Sequence, residues 1–179
     1  MKNNMNIMRT TITALAIALM PLSMAAQKVK QLTILHTNDT HSCILPEKKN
    51  LADTTLAGRG GFARRVAVLN EERKKDPDLL YFDSGDFSQG SAYYTMFKGD
   101  VEVGLMNKMG IAASTIGNHE FDYRSKGLAN MLTSARASGD AVPAMVVCNV
   151  DWDTMEAEGL TEGQQRLKDA FTAYGVSDY

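Results

Sequence analysis

Four short apolar runs, separated by segments with helical spacing, constrain this chain more than any other feature. Leu32-Thr33-Ile34-Leu35 reads as a buried first strand that ends where the polar Asn38-Asp39 begins. Gly60-Gly61 opens a helix with Phe62, Val66 and Leu69 on one face, and Asp76-Pro77 closes it, because the residue before proline is pushed out of helical geometry. Leu79-Leu80-Tyr81-Phe82 gives a second strand, and Val101, Leu105 and Met109 share a helix face that stops at Gly110. Ile111 to Ile116 gives the third strand. Leu128, Met131, Leu132 and Ala135 mark another helix, and Val142 to Cys148 the fourth strand. Strands alternating with helices predict an α/β fold with parallel β-α-β connections. A hydrophobic share of 44% supplies enough apolar residues for a core.

That topology decides where chemistry can occur, since ligands of open α/β sheets bind beyond the carboxyl ends of the strands. Leu35-His36-Thr37-Asn38-Asp39-Thr40-His41, Asp83-Ser84-Gly85-Asp86 and Gly117-Asn118-His119-Glu120-Phe121-Asp122 each follow a different strand, and Asn149 follows the fourth. Taken singly, an Asp or His in such a place is more often a turn or cap residue than a ligand. Asn118 alone could cap a helix with acidic groups in its first turn. Four segments converging on one sheet edge are far more specific.

The residue types suit divalent metal and phosphate. Asp39 and His41 stand two apart, so in an extended turn both point to one side. A carboxylate with a neutral imidazole favours Zn²⁺, Mn²⁺ or Fe²⁺ over Ca²⁺. Asp86 follows Gly85, whose missing Cβ would let backbone and metal approach closely. A carboxylate at Asp86 could bridge two ions about 3.5–4 Å apart. Asn118 would add a neutral oxygen ligand. His119 with Asp122 forms a second kind of pair, in which the carboxylate holds the imidazole in one tautomer beside a phosphoryl group. The chain lacks a Gly-x-x-x-x-Gly-Lys-Ser/Thr loop, which argues against a nucleotide-binding fold of that type.

The ends of the chain read differently. Lys2 and Arg9 precede a mostly apolar run from Ile12 to Leu22, and Ser23-Met24-Ala25 supplies small residues for cleavage. Residues 1–25 are therefore expected to be a signal peptide, giving a periplasmic or secreted protein without a stable membrane anchor; the run is shorter than the ~20 residues of a bilayer span. Export would let Cys43 and Cys148 pair, although two separate thiols are the favoured expectation. A formal net charge of −2 offers no attractive field for nucleic acid. Residues 26–151 are read as the domain, and residues 152–179 as a polar tail with one helical stretch near Leu167 to Phe171 and no closing strand.

With these motifs in place, the chain resembles the N-terminal metallophosphatase domain of the 5′-nucleotidase family, among the calcineurin-like metallophosphoesterases. The likeness runs from about Leu32 to Asp151 and includes Gly60-Gly61-Phe62-Ala63-Arg64 and Gly90-Ser91 beside the three segments above. It implies a four-layer αββα sandwich of which this chain holds the N-terminal half. It implies Asp39 and His41 as ligands of a first divalent metal, Asp86 as the bridging carboxylate, Asn118 as a ligand of the second metal, and His119 with Asp122 as a catalytic dyad. His36 falls within the motif as a residue that supports a ligand from behind or packs. The reaction implied is hydrolysis of a small-molecule nucleotide phosphomonoester by metal-activated water.

The histidine count departs from that pattern. The family completes its metal site with further histidines on later strands, whereas the chain's three histidines are His36, His41 and His119. The expectation is a fragment that also lacks the substrate domain, with weak binding of the second metal and an uncovered apolar sheet face. The alternative is a non-catalytic remnant that binds metal or a partner.

Overall fold

The computed structural model describes residues 29–178. The expected signal peptide lies outside them. Residues from Leu32 onward form one compact unit, and of the other, Met1–Gln31, only residues 29–31 are described, as irregular backbone. Among the described residues no helix is long and apolar enough to cross a membrane.

Four strands, β1 (Ile34–Thr37), β2 (Leu80–Asp83), β3 (Ala113–Ser114) and β4 (Ala144–Met145), form one parallel sheet in the order β1-β2-β3-β4. Helices lie between them: α1 (Phe62–Lys75), then α2 (Ala92–Phe97) and α3 (Asp100–Met109), then a 3₁₀ turn (His119–Phe121) and α4 (Arg124–Ala137). After β4 come α5 (Trp152–Glu158) and α6 (Glu162–Tyr174). The parallel α/β architecture expected from the alternation is therefore present.

Parity along the strands divides the sheet into unequal faces, because successive side chains point to opposite sides. Tyr81, Asp83, Ser114 and Met145 share one face by register and are all buried. Tyr81 and Met145 join Leu69 of α1, Val103, Met106 and Met109 of α3, and Leu128 and Leu132 of α4 in a single core. The opposite face carries Ile34, 52% exposed, and Leu80, 37% exposed. Here the expectation of a buried first strand fails. β1 lies at the margin of the sheet, begins two residues later than expected, and alternates exposed with half-buried residues.

The helix ends follow local chemistry. Basic Arg73, Lys74 and Lys75 occupy the last turn of α1, where the helix dipole favours them, and Asp76 leaves helical geometry ahead of Pro77. Arg73 also donates to the carbonyls of Met109 and Gly110, tying α1 to the end of α3. The face of α3 differs from expectation. Val103, Met106 and Met109 are buried with Glu102, while Val101 and Leu105 lie at the margin. Sequence reading also missed α2, a six-residue helix capped by Ser91, whose hydroxyl accepts from the Tyr93 and Tyr94 amides.

The largest correction concerns residues 152–179, expected as a polar tail. Thr161 and Gln164 form a reciprocal capping box at the start of α6, and Gly175 ends it in left-handed geometry. Leu167, Ala170, Phe171 and Tyr174 are buried in the same core as α4, and burial of each large side chain contributes about 1.5–3 kcal/mol. Trp152 packs edge-on against Phe171 at 5.6 Å. Ser177 then bridges Val146 in parallel, adding the closing pairing that the sequence did not suggest.

Tyr174 donates to the Pro143 carbonyl at 2.7 Å, and burial pushes its hydroxyl from 10.0 up to about 12 against a smaller opposing pull from Arg136. The folded value lies above the unfolded one, so the stability tied to the neutral phenol is complete below about pH 10 and is lost as the pH rises toward 12. Tyr174→Phe is expected to flatten that alkaline loss while costing about 1 kcal/mol of hydrogen bonding at neutral pH. Urea midpoints for both proteins at neutral and alkaline pH measure this directly.

Candidate metal centre

The β1–β2 pairing does not stop where the strands stop. Ser84 N donates to Thr37 O at 2.8 Å, Asp39 N to Gly85 O at 3.0 Å, His41 N to Asp86 O at 3.0 Å, and Ser42 N to Phe87 O at 2.8 Å. This ladder carries the two loops past the sheet edge side by side. Several of its residues are not extended. Asp39 (φ 49°), His41 (φ 42°), Ser42 (φ 52°) and Asp86 (φ 52°) all adopt left-handed geometry, each at a cost of about 1–3 kcal/mol that the surroundings must offset. The extended turn expected for Asp39 and His41 is thus replaced by a contorted one. Their side chains still converge, with Asp39 Oδ1 3.7 Å from His41 Nε2.

Ligand atoms of His41, Asp86 and His119 lie within 4.8 Å of one another. The His41 and His119 rings meet edge to face, with centroids 5.0 Å apart. Gln89 Oε1 sits 3.1 Å from His41 Nδ1 and, as an amide oxygen, accepts its proton, which leaves the Nε2 lone pair available. His119 Nδ1 is 3.2 Å from each oxygen of Asp122, so these two side chains are in contact through Nδ1. An imidazole and a carboxylate at this separation, with a second imidazole alongside, suit a borderline divalent ion.

The remaining expected residues take separate places. Asp39 stands beside His41 but outside the three-residue cluster. Asn118 is exposed and its side chain makes no capping bond to the 3₁₀ turn that follows it. His36 is exposed on β1, paired in register with Phe82, and Asn149 is exposed beyond β4. Cys43 and Cys148 are free thiols, half-buried and exposed respectively.

Three buried carboxylates beneath the site escaped sequence reading. Asp83 accepts from Thr37 Oγ1 at 2.7 Å, from Gly85 N at 3.0 Å and from Ser114 Oγ at 3.1 Å, linking β1, β2 and β3 at their carboxyl ends. Glu102 accepts from Ser42 Oγ, which also bonds Ser91 Oγ at 2.5 Å. Glu120, 2% exposed, accepts from Asp86 N at 3.0 Å, Gly117 N at 2.6 Å and Ser88 N at 2.8 Å. Burial pushes its carboxyl above the ordinary range, and these donors pull it back. Tyr94, whose hydroxyl donates to His119 O at 3.0 Å, is also pushed up, chiefly by burial and then by the Asp122 charge. The available signal was position. Glu120 lies inside the Gly117-to-Asp122 segment, and Gln89 adjoins Gly90-Ser91.

Glycine makes the close approach of loops possible. A Cβ on Gly85 would stand 2.7 Å from Gly117 N, and Gly85 has φ 87°. Its missing side chain therefore admits the backbone of Gly117, where the sequence had suggested room for a metal. Reciprocally, a Cβ on Gly117 would run into the Asp86 carboxylate and lie 2.6 Å from Asp86 N.

Residues 32–175 match the calcineurin-like phosphoesterase family. The 5′-nucleotidase of Bos taurus is 37% identical over 118 residues, covering 65% of this chain and 21% of that protein. The NAD 5′-nucleotidase of Haemophilus influenzae is 36% identical over 120 residues, covering 65% and 20%. Among solved structures, a 5′-nucleotidase precursor from Thermus thermophilus superposes with a TM-score of 0.56 at 34% identity, covering 68% of this chain and 23% of that one. The chain thus spans about a fifth of the length of the curated relatives it matches.

The packing at residue 117 gives a direct test. Gly117→Ala is expected to destabilise the fold by about 1–3 kcal/mol through overpacking against Asp86, with unchanged helical circular dichroism. Denaturant unfolding of the two proteins checks the figure.

Proposed function

The chain belongs to the calcineurin-like phosphoesterase family, and from that premise we propose that it supplies the metal- and phosphate-binding part of an exported 5′-nucleotidase-type hydrolase. The observation that carries this reading is the convergence of His41, Asp86 and His119 at the carboxyl ends of parallel strands. The residues fit divalent metal. His41 and Asp86 would hold it with Asp39 beside them, and Asn118, exposed and free of a capping role, would serve a second ion. Such ions supply Lewis acidity that makes water nucleophilic near neutral pH.

The chain's own groups account for the rest. Asp122 fixes the His119 ring through Nδ1, so Nε2 is the nitrogen that meets a phosphoryl oxygen or the leaving oxygen. The His119 amide donates to Asp86 Oδ1 at 3.0 Å, which holds dyad and carboxylate at fixed spacing. In the reaction a water oxygen bonds to phosphorus as the ester P–O bond breaks; the departing 5′-oxygen takes a proton from His119 Nε2–H, the donor we assign, and a proton lost by the attacking water restores that site through solvent. A cavity of about 460 Å³ lined by Gln89, Ser91, Tyr94, Asp122 and Tyr123 adjoins the dyad and gives room for the leaving nucleoside. Cleavage near residue 25 would deliver the protein to the periplasm or outside the cell.

A second reading, metal binding without turnover, draws on one observation: Asp39 stands outside the cluster that His41, Asp86 and His119 form. Titration with Mn²⁺ followed by electron paramagnetic resonance tests what both readings share. The wild-type chain is expected to bind Mn²⁺, and Asp86→Asn to weaken binding at least about tenfold; equal binding by the two proteins overturns the assignment. Phosphate release from AMP separates the readings. Slow Mn²⁺-dependent release that disappears in His119→Ala supports the hydrolase, and none at metal saturation supports binding alone.

A further inference from the structure

We propose that Glu120 is a positioning residue whose carboxylate locks the β2 loop to the β3 loop and thereby sets the affinity of the site for divalent metal. The inference rests on the metal-centre reading above and assigns a role to a residue that contributes no ligand atom to that cluster. The Glu120 side chain reaches from the 3₁₀ turn back beneath the centre. Oε2 accepts from the amides of Asp86 and Gly117, one from each loop, and Oε1 accepts from Ser88. A carboxylate that is 2% exposed is costly to bury unless its oxygens are bonded, so these donors and this acceptor require one another.

The bonds fall where the backbone is least comfortable. Asp86 has φ 52° and follows Gly85 at φ 87°, a conformation that an isolated loop would relax. With Asp86 N held by Glu120 and Asp86 O held by His41 N, both peptide groups of the ligand residue are tied. Asp86 Oδ1 in turn accepts from His119 N, so the same connection spaces the carboxylate from the dyad. Loss of Glu120 leaves three amides without their acceptor and frees Asp86 to rotate away from the two imidazoles.

The experiment compares Mn²⁺ affinity and thermal stability in wild type, Asp86→Asn, Glu120→Gln and Glu120→Asp. Glutamine preserves length but turns one acceptor into a donor facing an N–H, and aspartate preserves charge but falls short of one loop. Both are expected to weaken Mn²⁺ binding about 10–100-fold. Hydrogen exchange of the wild-type amides of Asp86, Ser88 and Gly117 needs no variant, and all three are expected to be protected to a similar degree. Wild-type affinity in Glu120→Gln, or free exchange of these amides in the wild type, overturns the proposal even where Asp86→Asn abolishes binding. Failure of the wild type itself to bind Mn²⁺ instead removes the metal-centre reading on which the proposal stands.

Discussion

Everything at the site depends on backbone hydrogen bonds that outlast the strands. Parallel pairing between β1 and β2 continues through Ser84, Asp39, His41 and Ser42 after regular extended geometry has ended. Regular strands would carry alternate side chains to opposite faces of the sheet. By turning left-handed at Asp39, His41 and Asp86 while keeping inter-loop bonds, the two loops aim three functional side chains above the sheet edge. The strain is localised, and the ladder together with the glycines at 85 and 117 tolerates it.

Beneath the ladder, buried acids serve as acceptors for the backbone. Asp83 joins three strand ends, Glu120 joins two loops, and Glu102 reaches the His41 loop through Ser42. None of the donors recorded for Asp83 and Glu120 is a cationic side chain; they are amides and hydroxyls. That arrangement meets the buried oxygens with neutral donors alone. It also explains why the acids sit at the carboxyl ends of strands, where loop amides are abundant and otherwise unpartnered.

The alternation of apolar runs made the parallel sheet legible in the sequence, and with it the meeting of the three motif segments beyond its carboxyl edge. Other features were hidden for physical reasons. β1 looked buried because its apolar residues do not record which face a sheet covers, and Ile34 points to the open one. The tail was misread because α6 buries four residues spaced among Glu, Gln, Lys and Asp, so its composition is polar while its inner stripe is not. Glu120 and Asp83 were passed over because a buried acid looks the same in sequence as an exposed one. Left-handed geometry at Asp39 and His41 is likewise set by partners 45 or more residues away, beyond any local pattern.

One feature of the sheet reaches into its thermodynamics. The face with Tyr81 and Met145 carries the core, and the face with Ile34 and Leu80 stays in contact with solvent. Surface that is already hydrated in the native state contributes nothing to the heat-capacity change of unfolding, which scales with apolar area newly exposed to water. The exposed parts of Ile34 and Leu80 are therefore silent in that quantity. The curve of stability against temperature is flatter by that share than it would be with this face covered.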